Sequence, residues 1–312
     1  MLRNFGLVFL LLLLTSCTNI FMPPSFLGNG FQQQRILPPF NRIKAEGAIN
    51  INIIMDSLPP QVILKGDPKD VMEVITVVNN GNLLLQMPEG SPRYGAVLAE
   101  VHLNHLNAFS FRGIGEVKGL HLNTSLLDLR IGNEGKTIFG GNLGIRDLRV
   151  SGNGFVQISG IKSPNMHIRV RGNPKLQLAG MANVSRIDAN SGYISLYWVK
   201  SPCIVVRGRG KSFIQLAGIT EKLDVELFDD SCFKGRYLRA RNVFVKTFDR
   251  SNAEITALEK QHSLASGQSD IHFYNIPDMR TDFMAFNGSV LDMRDLNDPF
   301  LEEYTRYNIS PP

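Results

Sequence analysis

The chain has 312 residues, 43% of them hydrophobic and 20% charged, enough for one large domain or two small ones with a substantial core. Lys plus Arg number 33 against 28 Asp plus Glu, a net charge of +5, and no run of five like charges occurs. So modest an excess argues against a nucleic-acid binder and is compatible with contact to anionic lipid or polysaccharide.

Residues 1–16 carry one cation, Arg3, and then an apolar run from Phe5 to Leu14. That is the hydrophobic region of a signal peptide, too short to span a bilayer. It ends Leu14-Thr15-Ser16-Cys17, which resembles a bacterial lipobox. The resemblance implies cleavage before Cys17, a diacylglyceryl group on its sulfur and an acyl chain such as palmitate on its new amine. Several acyl chains would hold the protein stably on a lipid bilayer. Thr18 in place of Asp implies the outer membrane, if the host sorts as enterobacteria do. An ordinary signal peptide with a chance cysteine is the alternative. Residues 17–39 read as the acylated N-terminus and a flexible tether, with Pro23-Pro24, Gln32-Gln33-Gln34 and Pro38-Pro39 and no sustained period.

From Phe40 the pattern turns to strands. Ile49, Ile51 and Ile53 alternate with Asn50 and Asn52, the period of a half-buried strand. Gly66-Asp67-Pro68 signals a turn, and Asp70–Ile75 reads as a short helix or a bridging strand. Asn79-Asn80-Gly81-Asn82 between two apolar runs is a strong hairpin signal. Residues 40–104 are therefore expected to form an antiparallel β segment that caps one end of the region from residue 105 onward.

Residues 105–296 repeat. Arg149-Val150-Ser151-Gly152 lies over Arg169-Val170-Arg171-Gly172, and Val156-Gln157-Ile158-Ser159-Gly160 over Leu176-Gln177-Leu178-Ala179-Gly180, at an offset of 20 residues. A turn landmark recurs at Gly113, Asn133, Gly152, Gly172, Ser191, Gly208, Asp229, Asp249, Gly267 and Asn287, at intervals of 17 to 21 residues. A second accompanies it at Gly119, Gly140, Gly160, Gly180 and Gly218. A period near 20 without helical stretches means one solenoid coil per repeat. The expected fold is all-β: a right-handed parallel β-solenoid of about ten coils of roughly 20 residues, with a β-sandwich as the alternative. Residues 297–312 would form a C-terminal cap or a tail.

The stretch Phe40-Asn41-Arg42-Ile43-Lys44-Ala45-Glu46-Gly47, the Ile strand after it, Asn80-Gly81-Asn82-Leu83-Leu84-Leu85 and the glycine-punctuated repeats together resemble the head-GIN domain family of autotransporter adhesins, over roughly residues 40–290. The resemblance implies a β-helical protein of the cell envelope. It transfers no catalytic residue.

Two sets of side chains are candidates for chemistry. Arg130, Arg149 and Arg169 fall at one outward position of three successive coils, and Arg171 and Arg207 add to the basic half. Guanidinium groups grip sulfate, phosphate and uronate groups, so these five are candidate anion or glycan contacts. Asp128 and Asp147 two residues upstream offer local salt bridges as the plainer reading. Asp229, Asp230 and Asp249 cluster at adjacent corners, where they could hold calcium or form the acid pocket of a polysaccharide lyase or hydrolase. Asp at a corner also hydrogen-bonds its own turn. Tyr193, Tyr197 and Trp198 offer a sugar platform, in a coil that spends 17 residues before its next landmark. Cys203 and Cys232 fall at different offsets from their landmarks and read as separate thiols. No HExxH, GxSxG, P-loop or CxxC occurs. No cofactor is implied beyond the calcium alternative. The expected function is non-catalytic: an adhesin-like binding or structural module, partnered by the bilayer and by an anionic polysaccharide or another envelope protein. A polysaccharide-active β-helix enzyme and a periplasmic scaffold or assembly partner are the alternatives.

Overall fold

Period-two alternation governs nearly every segment that the computed structural model describes, residues 31–274 and 280–293. Cys17, the signal peptide, most of the tether and residues 297–312 lie outside the described residues. In chain order the elements are β1 (Phe31–Ile36), β2 (Arg42–Ala48), β3 (Asn50–Met55), β4 (Gln61–Gly66), α1 (Pro68–Glu73), β5 (Ile75–Asn79) and β6 (Asn82–Gln86). Then come β7 (Leu98–Leu103), β8 (Ala108–Ile114), β9 (Glu116–Asn133), β10 (Lys136–Ser151), β11 (Phe155–Arg171) and β12 (Lys175–Leu227). The last are β13 (Cys232–Thr247), β14 (Asn252–Ser266), β15 (Asp270–Phe273), β16 (Arg280–Phe286) and β17 (Ser289–Asp292). The longest of them, β12, is an unbroken ladder of 53 residues that passes round several corners.

The chain winds as a β-solenoid of about nine turns, near the ten expected. From β8 onward each coil pairs in parallel with the next: β8 with β9, β9 with β10, β10 with β11, β11 with β12, β12 with β13, and β13 with β14. Stacking in register turns the inward positions into continuous columns. One runs Ile43, Phe109, Leu129, Leu148, Ile168 and Ile187, every member buried. No single coil could bury these side chains, and each contributes about 1.5–3 kcal/mol when its neighbours cover it.

Two boundaries differ from the expectation. Residues 40–104 are not simply antiparallel. Strands β2 and β3 already belong to the solenoid, for β2 pairs in parallel with β6 and β8, and β3 with β7 and β9. Alternation looks the same in parallel and antiparallel ladders, so partner direction is not written in it. The antiparallel pairs are β1–β4, β4–β7 and β5–β6. In the β5–β6 hairpin Asn80 and Gly81 both have positive φ, 48° and 72°, as a two-residue turn of this kind needs.

The second difference is β1, which occupies the end of the expected tether. Arg35 reaches from β1 across the end of the solenoid to the carbonyl oxygens of Val71 and Val74, at 3.1 and 2.5 Å, and to Thr76 Oγ1 at 2.7 Å. The two N-terminal edge strands, β1 and β5, are thereby laced together over α1, and an open edge is closed. Of the two readings of the segment expected at Asp70–Ile75 the helix forms, two residues earlier, with Asp67 as N-cap and Pro68 in its first turn. Buried Asp70 accepts hydrogen bonds from the backbone N–H of Arg93, Tyr94 and Gly95 at 2.8, 2.8 and 3.1 Å. Burial pushes its pKa up, but those three bonds outweigh it and hold the carboxyl below the usual range.

The corner landmark is a column of positive φ: Gly152 (88°), Gly172 (82°), Ser191 (65°), Gly210 (62°), Asp229 (59°), Asp249 (60°), Gly267 (77°) and Asn287 (59°). Gly210 rather than Gly208 takes the corner, so the coil after Ser191 runs 19 residues and is regular.

Candidate functional site

Outward positions stack as strictly as inward ones. On one face, three columns run side by side. The first is Asp128, Asp147, His167 and Arg186. The second runs from Lys44 through Ser110 to Arg130, Arg149, Arg169 and Asp188. The third passes from Glu46 through Arg112 and Gly132 to Ser151. It continues in the next coil at Arg171, one residue beyond the Val150–Val170 pair, and then Asn190. The predicted Arg130, Arg149 and Arg169 thus stand directly over one another, about 4.8 Å apart along the sheet.

Their charges are not equally free. Arg149 Nε donates to Asp147 Oδ2 at 2.7 Å. Asp128 does not face Arg130, because Arg146 from the adjacent coil takes it through Nε at 2.9 Å and through Nη2. Arg169 Nη2 lies 3.2 Å from His167 Nδ1. With Nδ1 accepting from Arg169, Nε2 of His167 is the nitrogen that donates to Asp188, at 3.2 Å. Arg186 bonds the same carboxylate at 2.7 Å. Burial pushes the Asp188 carboxyl up, and the bonds from Arg186 and His167 overcome that and hold it below its ordinary value. Arg207 is paired with Glu226 at 3.3 Å. Arg112, Arg130 and Arg171 are exposed and have no ion-pair partner among the described residues. The face therefore brings Arg130, Arg149, Arg169 and Arg171 together, while Arg207 lies further along the solenoid and is paired.

The three corner carboxylates have a different arrangement from the expected calcium or acid site. Asp229 Oδ2 accepts from the Gly210 N–H at 2.8 Å, and Asp249 Oδ2 from the Asp229 N–H at 3.0 Å. Each carboxylate ties its corner to the backbone of a neighbouring coil. Asp230 is held by Arg250 through two bonds of 2.7 and 2.9 Å, which lower its pKa. Among the described residues no group of three or more His, Cys, Asp and Glu is placed to hold a metal ion. These corners are closed by a serine. Ser231 Oγ donates to Phe228 O and Ser251 Oγ to Phe248 O, both at 2.7 Å, and Ser269 Oγ to Ser266 O at 2.9 Å. The repeated Phe-Asp-x-Ser at 228–231 and 248–251 is a sequence signal for this turn that the spacing of corner residues alone does not pick out.

The aromatic candidates also serve the stack. Tyr193 lies between Lys175, 5.8 Å from its ring centre, and Phe213, stacked at 5.1 Å with an interplanar angle of 6°. The stacked Phe213 takes one face of the ring. Tyr197 is 41% exposed, and its partial burial raises the pKa of its hydroxyl. Trp198 has φ 71°, at the second corner, where Gly160 and Gly180 stand in other coils. Cys203 and Cys232 are free thiols, and burial pushes the Cys232 pKa up.

Residues 39–192 match the family model described as "Putative auto-transporter adhesin, head GIN domain". No curated protein sequence matches the chain. Among solved structures, a "putative adhesin" of Parabacteroides merdae is 15% identical, with TM-score 0.49, over 85% of this chain and 96% of that one. A "putative adhesin" of Parabacteroides distasonis is 15% identical, with TM-score 0.47, over 85% and 97% of the two chains. A "Putative lipid binding protein" of the same species is 13% identical, with TM-score 0.41, over 85% and 97%.

Proposed function

We infer, from the match of residues 39–192 to the family model described as "Putative auto-transporter adhesin, head GIN domain", that this chain is a non-catalytic binding module of the bacterial cell envelope. It is held on the outer membrane by acyl chains on Cys17, and its ligand is an anionic polysaccharide. The observation that carries the binding assignment is the column Arg130, Arg149 and Arg169, stacked in register on an exposed face with Arg171 beside it. Closely spaced guanidinium groups grip sulfate, phosphate and carboxylate oxygens through paired N–H donors. Support for the anchor is the lipobox-like Leu14-Thr15-Ser16-Cys17 after a short apolar run.

Two measurements test the reading. Cys17→Ala should abolish palmitate incorporation in growing cells, and undiminished labelling would remove the anchor. Replacing Arg130, Arg149 and Arg169 together by Glu should weaken retention on an anionic glycan array by more than about tenfold, given about 1.5–3 kcal/mol for each charged hydrogen bond lost. Unchanged retention would remove the anion-binding assignment.

A further inference from the structure

The three exposed arginines without carboxylate partners among the described residues frame a gap in the side-chain layer of the basic face. In the third outward column the order is Arg112, Gly132, Ser151, Arg171. Gly132 has no side chain, and a Cβ built on it would lie 3.2 Å from Ser151 Oγ, so the serine hydroxyl leans over the glycine. Arg112 and Arg171 bound this gap from below and above. Three strand spacings separate them, about 14 Å between Cα atoms, and two arginine side chains can close that span on a small group between them. Arg130 and Arg149 wall the gap on one side, because they occupy the same two strands as Gly132 and Ser151, two residues upstream. On the other side lies the corner, where Glu134 is engaged by Asn153 Nδ2 at 3.2 Å.

Three of the four nearby carboxylates are paired with cations, and the fourth, Glu134, has only the Asn153 amide and keeps its charge on the corner side. Glu46 beneath Arg112 is bonded by Lys44 at 2.9 Å, Asp147 by Arg149, and Asp128 by Arg146. Three arginines from three coils, none with an ion-pair partner among the described residues, thus surround a gap floored by glycine and a serine hydroxyl.

We propose that this recess, Gly132 and Ser151 framed by Arg112, Arg130 and Arg171, is a seat for one tetrahedral oxyanion ester, a sulfate or phosphate group carried on a polysaccharide. The seat rests on the anion-binding reading of this face and narrows it. A carboxylate offers two oxygens in one plane and suits a single bidentate guanidinium. A sulfate or phosphate ester offers three terminal oxygens pointing apart, which donors arriving from below, above and one side can each reach. The Ser151 hydroxyl adds a neutral donor at the floor. Arg149 is neutralised by Asp147 and contributes to the wall more than to the charge.

The test uses the full chain in neutral detergent and dextrans of matched size and substitution carrying sulfate, phosphate or carboxymethyl groups. Wild type should bind the sulfate and phosphate polymers more tightly than the carboxymethyl polymer, and whichever of the two binds better identifies the ester. Arg112, Arg130 and Arg171 replaced together by Gln should weaken that binding at least about tenfold. Arg209, Arg239 and Arg241 replaced together by Gln lower the net charge equally and should change binding less than about twofold if position decides. Ser151→Leu, which fills the recess without altering charge, should weaken binding like the first triple variant. Circular dichroism establishes that each variant is folded, and the arginine triple carries the test if the leucine variant is not. Equal losses in both triples would overturn the seat and leave a diffuse anion-binding face. A preference for the carboxymethyl polymer would also overturn it. No retention of any of the three polymers by wild type would overturn the broader anion-binding reading.

Discussion

Gly160 sits where one coil turns over another, and replacing it with Ala isolates what the stacking demands. Its φ is +74°, and a Cβ there would lie 1.8 Å from the Gly141 carbonyl oxygen in the coil before it. The left-handed conformation costs an alanine about 1–2 kcal/mol. The clash is with backbone, which no side-chain rotation relieves, so the two coils must part locally, at about 1–3 kcal/mol by comparison with overpacked cores. The sum is about 2–5 kcal/mol. Gly90 supplies the control: its φ is +81°, and nothing lies within 4 Å of its would-be Cβ. Gly90→Ala should therefore show the conformational cost alone. Urea unfolding followed by circular dichroism would read both, as a fall in midpoint at constant slope. Should Gly160→Ala lose no more stability than Gly90→Ala, the close approach of successive coils would not be what selects glycine at the second corner.

Arg35→Met keeps the aliphatic stem and removes the bonds to Val71 O, Val74 O and Thr76 Oγ1. The expected loss is about 2–4 kcal/mol, less than the full sum of charged hydrogen bonds because water replaces part of them. Hydrogen exchange should quicken in residues 71–78 before it does in β10 or β11, and unchanged protection there would refute the lacing of β1 to β5. Asp188 has its folded pKa depressed, so its contribution to stability is fully present above its unfolded value near pH 4 and fades as pH falls through the lower folded value. Asp188→Asn should flatten the stability curve below about pH 4, read by urea titrations from acid to neutral pH, while an unaltered acid limb would remove Asp188 as its source.

The coil period is legible in the sequence because positive φ leaves few residue types to choose from, and Gly152, Gly172, Asp229, Asp249 and Asn287 mark the corner openly. Where two glycines flank the corner, as Gly208 and Gly210 do, composition does not say which one bends. Placing the corner at Gly208 creates an irregular coil that the backbone does not contain. Strand β1 is hidden for another reason. Phe31-Gln32-Gln33-Gln34-Arg35-Ile36 has the polar make-up of a linker, and it is ordered by long-range bonds from Arg35 and by pairing with β4. The parallel pairing of β2 and β3 is equally out of reach, whereas the Asn80-Gly81 hairpin carries its own local signal. In the site, spacing alone locates the arginine column. It cannot show that Asp128 turns to Arg146, because that depends on which side chain reaches the carboxylate first.

The solenoid makes repetition of charge expensive, and this gives the basic face its meaning. A period near 20 residues puts equivalent side chains about 4.8 Å apart, so two adjacent unit charges repel by about 1 kcal/mol in water and more where water is partly excluded. At three other places on the surface the chain sets opposite signs against one another between coils: Arg207 lies against Glu226, Lys234 against Glu254, and Arg250 against Asp230. At Arg130, Arg149 and Arg169 it repeats the same sign three times and relieves only the middle charge directly, through Asp147. A structural role would be served as well by the alternating pattern that the later coils use. On the proposed reading, three like charges in register, with Arg112 and Arg171 left without carboxylate partners among the described residues, cost the free protein stability that a bound anion would offset.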